Sequence, residues 1–279
     1  MTNTHSPSWF KRHALVLYFV LTYAISWTFM IPVALSAQGL LSWQVPLALY
    51  YFASFGPLSA ALIITAITEG RDGIRRLLGR LLKWRVGFRY FALAVLAPVG
   101  LFVLAVLVNR TITGAWSDLR LLGEVDYLPY LTPLGAFGIW LLTYGLGEET
   151  GWRGFALPHL QRNRSAASAT LILAVLWACW HLPAFFFRDT YVDMGIIGFP
   201  LFAFTVLFTT MVFTWLYNST GGSLLLVVLF HAVFNWLGVS EAGGQFAPAI
   251  MTAPIILLAL FIPRKYGMEN CAPVEKQIA

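Results

Sequence analysis

The stretch FGIWLLTYGLGEETGWRGFAL, Phe137 to Leu157, decides how this chain folds. It is apolar and long enough to cross a bilayer, yet it carries Glu148, Glu149 and Arg153 within six residues. An ionisable side chain near the bilayer centre costs a few kcal/mol or more, so a membrane segment that keeps three of them turns them inward and uses them. Later apolar stretches carry His181, His231 and Asn235. The pattern predicts an intramembrane site.

The rest of the sequence agrees with a membrane setting. Of 279 residues, 59% are hydrophobic and 11% charged, and the mean hydropathy is +0.74. A soluble chain places roughly a quarter of its residues as charge. The expected fold is an all-α polytopic bundle of about eight transmembrane helices around a polar cavity. With a span needing about 20 apolar residues, the candidates run Ala14 to Leu35, Val45 to Thr68, Tyr90 to Asn109, Phe137 to Leu157, Ser168 to Phe187, Met194 to Tyr217, Gly221 to Val239 and Phe246 to Ile262. The first is longer than the roughly 7 to 15 apolar residues of a signal peptide and reads as a retained anchor. No repeat, low-complexity tract or soluble module interrupts the series, so residues 1–279 are expected to form a single transmembrane domain, with a core at 137–239.

Charge orients the bundle. Arg71, Arg75, Arg76, Arg80, Lys83, Arg85 and Arg89 follow the second span, Arg162 and Arg164 the fourth, and Arg264, Lys265 and Lys276 the last. With eight spans all of these share one side. The opposite loops hold Asp118, Glu124, Asp126, Asp189, Asp193 and Glu241 against Arg110, Arg120 and Arg188, so both termini are expected to be cytoplasmic. The net charge of +6 is thus explained by orientation and anionic lipid, and nucleic acid is excluded as a partner. Ile74, Leu77, Leu78, Leu81 and Leu82 alternate with Arg75, Arg76, Arg80 and Lys83 at helical spacing, the pattern of a basic helix at the inner interface. Cysteine usage is uninformative. Cys179 lies in an apolar run, and Cys271 is not fourth from the terminus as a prenylation box requires.

Depth then decides whether the polar residues can meet. If the fourth helix runs on to Pro158, a natural stop, Glu149 lies about 18 Å from the outer edge of a roughly 30 Å core, and His181 and His231 about 20 and 15 Å from the inner edge. All three share one level. Glu149 and Arg153, four apart, share a face, and so do His231 and Asn235, while Glu148 points roughly 100° away from Glu149. A desolvated carboxylate aided by a histidine can deprotonate a water that attacks a peptide carbonyl, while a second histidine and an amide stabilise the oxyanion. Glu148 or Glu149 is then the base, His181 positions the water, and His231 with Asn235 forms the oxyanion hole, with Arg153 and Trp177 in support.

Taken singly, each feature has a plainer explanation. Glu149 with Arg153 can be a structural ion pair, a lone His181 a packing residue, and His231 with Asn235 interhelical glue. Gly145-x-Gly147-x-x-x-Gly151 follows no strand, so it is read as close helix packing and not as a phosphate loop. His159, after Pro158, is expected to be a solvated loop residue. It is the conjunction of these groups at one depth that points to a site.

Glu148-Glu149-x-x-x-Arg153, Trp177-x-x-x-His181 and His231-x-x-x-Asn235, in that order on successive apolar segments, resemble the three motifs of the CPBP family, the type II CAAX prenyl endopeptidase and Abi bacteriocin-immunity group of intramembrane proteases. The usual second motif is F-x-x-x-H, so Trp177 is a departure. The resemblance implies an eight-helix bundle, a cavity reached from the cytoplasmic side, Glu148 as principal carboxylate with Glu149 and Arg153 supporting it, and cleavage near the C-terminus of prenylated substrates in the eukaryotic branch. For a prokaryotic-type plasma-membrane member the substrate stays open, from lipidated or other membrane-associated peptides to a role in bacteriocin immunity. No cofactor is required, although Glu148, His181 and His231 would supply three ligands to a catalytic zinc. Against zinc, no H-E-x-x-H pairs two histidines on one helix. A proton-coupled transporter or channel is the alternative from another class, since carboxylates and histidines in a bundle also build relays.

Overall fold

The computed structural model describes residues 9–125, 128 and 130–279, and among these every regular element is helical. Asp126, one of the acidic loop residues that orient the bundle, lies outside the described residues. Six helices are long and apolar enough to cross a membrane: α1 (Trp9–Ala37), α2 (Leu49–Gly79), α3 (Phe88–Thr113), α5 (Ala166–Phe186, regular as far as Trp180), α6 (Ile196–Ser219) and α8 (Ala247–Asn270). Between α3 and α5, the segments Pro133–Trp140, Leu141–Glu148, Glu149–Gly151, Trp152–Ala156 and Leu157–Gln161 run end to end as one rod, α4. The shorter α7 (Leu224–Gly238) makes eight. At 15 residues α7 is too short for a roughly 30 Å core. Ten of those residues are buried, so protein and not lipid solvates it.

Helices occupy all eight expected stretches, with altered ends, and six of them are long and apolar enough to cross a membrane. The basic stretch after the second span is helical, and it continues α2 beyond a break at Gly70, whose φ of +66° only glycine adopts freely. Leu77 is buried against Gly154 of α4, whereas Leu78 and Leu82 are exposed. Two expectations fail at the end of α4. Pro158 does not stop the helix, which runs to Gln161, and His159 is not a solvated loop residue. Its ring is half-buried and stacked on Phe155, with Nδ1 donating to the Phe155 carbonyl at 2.7 Å. The wider π turn over Trp152–Ala156 absorbs the lost backbone bond and the pyrrolidine ring without ending the rod.

The glycines of α4 act as close-packing residues, as expected. A Cβ at Gly147 would stand 2.6 Å from the Ser54 carbonyl oxygen, and one at Gly151 would stand 2.4 Å from Pro57 Cβ. No side chain fits, so α4 lies directly on α2. Its other faces meet α7 and α5.

Hydrogen bonds fasten one end of the bundle. Arg80 donates to the Gly154 carbonyl (2.7 Å), Lys83 to the Gly221 carbonyl (2.6 Å), and Ser223 to the Lys83 carbonyl (2.8 Å). The last residues fold back on the same end: Gln161 donates to the Gln277 carbonyl (2.6 Å), Arg162 to the Ala279 carbonyl oxygen (2.8 Å), and Lys276 to the Arg164 carbonyl (2.8 Å). This basic end collects all the clusters of Arg and Lys read from the sequence. At the far end, Gln38 donates to the Phe186 carbonyl, and the backbone N–H of Glu241 to that of Glu124.

Candidate active site

Three rods bring the polar residues together. Glu148 ends the π segment Leu141–Glu148 of α4, His181 caps the regular part of α5, and His231 and Asn235 sit one turn apart on α7. Glu148, Trp177, His181, His231 and Asn235 all line one cavity of about 230 Å³. α6 closes it with Phe202, Thr205 and Thr209. Glu149 and Arg153, the other two residues singled out in the sequence, do not line it.

The two adjacent glutamates are therefore separated by environment. Glu148 reaches the cavity, and its Oε2 accepts a hydrogen bond from Trp177 Nε1 at 2.8 Å. Glu149, fully buried, stands behind His231, with Oε1 accepting from His231 Nδ1 at 2.7 Å and from Arg153 Nη1 at 2.9 Å. The Arg153 guanidinium lies between the Trp177 and Phe213 rings, at 4.4 and 4.7 Å from their centroids. Cation–π contact of this desolvated kind is worth about 2 kcal/mol, and it covers a guanidinium whose Nε and Nη2 have no hydrogen-bond partner. Arg153, Glu149 and His231 form one chain of contacts ending at the cavity wall.

Each imidazole is fixed through one nitrogen. His181 Nδ1 lies 2.8 Å from the Trp177 carbonyl oxygen. A carbonyl only accepts, so Nδ1 carries the proton and Nε2 keeps its lone pair. His231 Nδ1 is likewise directed at Glu149, which turns Nε2 the other way. The Trp177 ring sits between the two histidines, 5.8 Å from His181 and 5.6 Å from His231 by ring centroids. Asn235 is half-buried at the cavity wall.

Among the described residues, no three His, Cys, Asp or Glu side chains stand close enough together to hold a metal ion. Glu148, His181 and His231, the three ligands named for zinc, line the same cavity.

Several lining residues were not legible in the sequence. Tyr50, Tyr144 and Tyr191 line the cavity, and so does the loop residue Arg188, which is 7% exposed. Its burial comes from the turn over Leu182–Phe186, which folds the following residues back over the site. The i, i+4 reading of α4 assumed regular turns and could not foresee π geometry.

The cavity occupies the half of the bundle away from the basic end. Its contributors on α4, α6, α7 and α8 all lie toward the far ends of those helices, and Arg188, Thr190 and Tyr191 belong to the connection beyond α5.

Comparison with known proteins gives a family resemblance. Over 215 residues the chain is 24% identical to the CAAX prenyl protease 2 of Methanococcus maripaludis, an alignment covering 74% of this chain and 77% of that protein. The family model described as type II CAAX prenyl endopeptidase Rce1-like matches residues 129–237, the same part of the chain that carries all three motifs. Over residues 129–237 the chain is thus similar to the Rce1-like type II CAAX prenyl endopeptidases.

Proposed function

We propose that this chain is an intramembrane endopeptidase in which Glu148 activates water against a peptide carbonyl. The observation that carries this reading is the division of the glutamate pair. One carboxylate faces the cavity with the Trp177 indole on Oε2, while its neighbour is engaged by an arginine and a histidine. Glu148 keeps Oε1 for the nucleophile, and the His181 lone pair at Nε2 helps to orient the same water.

The step balances with protein groups alone. Water loses a proton to Glu148 as its oxygen bonds to the carbonyl carbon, and the carbonyl π electrons move onto oxygen. A protonated His231, held by Glu149 through Nδ1, donates Nε2–H to that oxyanion, and the Asn235 amide donates beside it; each such donor is worth about 3 kcal/mol. The tetrahedral centre collapses, the C–N bond breaks, and Glu148 returns the proton to the departing amine. Glu149 and Arg153 act as positioning residues. They do not touch substrate, but they set the direction of the His231 ring.

The substrate class is a membrane-associated peptide, with or without an attached lipid. The whole chain acts as one membrane domain in a prokaryotic-type plasma membrane with both termini cytoplasmic, a reading supported by the basic end described above. Purified protein in liposomes with a quenched peptide library is the test. Cleavage is expected for the wild type and in the presence of EDTA, and to be lost in Glu148→Gln. Undiminished cleavage by Glu148→Gln would remove the carboxylate role, and loss of cleavage in EDTA restored by zinc would replace it with metal chemistry.

A further inference from the structure

The stretch that joins α2 to α3 gathers cations where two spans meet the edge of the bilayer. Between the break at Gly70 and the start of α3 at Phe88 lie Arg71, Arg75, Arg76, Arg80, Lys83 and Arg85, against the single carboxylate of Asp72. Arg76, Arg80, Lys83 and Arg85 line one open pocket of about 540 Å³ together with Leu82 and Trp84, and no acidic side chain lines it. The pocket shares no residue with the cavity of Glu148.

Two of these cations are fixed by backbone groups. Arg80 donates to the Gly154 carbonyl of α4 at 2.7 Å, and Lys83 to the Gly221 carbonyl after α6 at 2.6 Å. In return, the Arg80 carbonyl accepts from the Leu224 N–H (3.0 Å) and the Lys83 carbonyl from the Ser223 hydroxyl (2.8 Å). Gly221 admits the ammonium because it has no side chain: a Cβ there would stand 2.8 Å from Lys83 Nζ. Each bond takes one donor of its cation, out of five on a guanidinium and three on an ammonium. Arg76 is paired with Glu69 at 2.7 Å, so the excess charge of the pocket rests on Arg80, Lys83 and Arg85. The exposed Arg85 guanidinium lies 5.3 Å from the Trp84 ring centroid. Large apolar side chains stand exposed beside these charges: Leu82 is 77% exposed, Trp84 61%, and Phe88 84%. A soluble anion would satisfy the cations and leave the apolar groups bare, whereas a lipid covers both, with phosphate on the charges and acyl chain on the apolar surface.

We propose that this pocket binds the headgroup of an anionic glycerophospholipid, its phosphodiester on Arg80, Lys83 and Arg85 and its acyl chains along Leu82, Trp84 and Phe88. Guanidinium groups meet phosphate oxygens with paired N–H donors, and an ammonium meets them as a point charge. A zwitterionic headgroup would bring its own cation into a pocket that has no carboxylate, so a lipid of net negative charge is preferred. Through the bonds of Arg80 and Lys83, the bound lipid braces the α2–α3 connection against α4 and the turn between α6 and α7, and it stabilises the folded bundle by mass action.

The test titrates purified full-length protein in detergent with phosphatidylglycerol, phosphatidylcholine or inorganic phosphate and follows the thermal midpoint. Phosphatidylglycerol is expected to raise the midpoint to a plateau, and the other two at the same concentrations to leave it in place. No rise with phosphatidylglycerol, or an equal rise with phosphatidylcholine, overturns the proposal; an equal rise with inorganic phosphate overturns the lipid assignment. Arg85→Gln, a change at an exposed side chain, is expected to raise the half-saturating phosphatidylglycerol concentration about fivefold. Lys83→Gln, with the same rise expected, serves if Arg85→Gln does not accumulate. Arg71→Gln with Arg75→Gln removes two charges from the same connection outside the pocket and is expected to stay within about twofold of the wild type. If that pair weakens binding as much as the pocket variants do, the lipid is held by a diffuse basic surface and the proposed site is wrong.

Discussion

The basic end and the cavity end of this bundle are built on opposite plans. At the basic end, side chains and the C-terminal residues are consumed by one another: Gln161 and Asn218 exchange amide bonds, Lys276 pairs with Glu269, and Arg162 holds Ala279. At the cavity end, donors and acceptors are held on one side only. Trp177 secures one oxygen of Glu148, and each histidine is fixed through Nδ1. The contrast teaches how a membrane protein keeps reactive groups unsatisfied: it anchors each from behind and closes the bundle elsewhere.

The comparison breaks most severely at Glu148. Glu148→Gln removes the base while keeping shape, and general-base catalysis contributes about 10²–10⁴-fold; kcat is expected to fall by about 10³ with little change in KM, read with a quenched peptide in liposomes. Glu149→Gln strips the buried partner from Arg153, a loss worth about 3–5 kcal/mol. Its thermal midpoint in detergent should drop, and activity should fall with it because His231 loses its anchor. An unchanged midpoint would mean that the pair is not structural.

Trp177→Phe sharpens the picture. The substitution keeps an aromatic ring, restores the residue usual in the second motif, and deletes only the indole donor to Glu148. A hydrogen bond to a charged group is worth about 1.5–3 kcal/mol, so kcat should fall about 10- to 100-fold. In ¹⁵N-tryptophan-labelled protein the Trp177 indole resonance should be absent from this variant and should shift in Glu148→Gln. If it stays put in Glu148→Gln, Trp177 is only a packing residue.

Two smaller effects belong to the closed end. Gln161→Ala is expected to cost about 1 kcal/mol per bond lost in thermal stability while leaving cleavage within twofold, because Gln161 lies far from the cavity. Burial pushes the Cys271 thiol up to about 11. The reactive thiolate is then a small fraction at pH 8 and grows as pH approaches that value, so maleimide labelling of folded protein should be slow at pH 8 and accelerate toward pH 10. Rapid labelling at pH 8 would show the tail to be loosely held.

Much of this was legible in the residues. Composition and the length of the apolar runs gave a helical membrane bundle, and even α7, too short to span by itself, was marked by its apolar run. The four-residue spacings anticipated the Glu149–Arg153 pair and put His231 and Asn235 on one wall. The burial of the loop residue Arg188 was not legible, because it depends on how a turn folds back. Pro158 and His159 were misread because a π turn changes what a proline does.

Sequence by itself determined the solvent, the number of rods and which polar residues the apolar segments carry, because hydropathy and charge are properties of residues that act wherever the chain goes. Only the tertiary structure decided which of two adjacent glutamates faces the cavity, that Trp177 binds the one that does, and in which half of the bundle the cavity lies. Those outcomes depend on helical phase through the π turns and on contacts between residues far apart in the chain, and no local pattern encodes either.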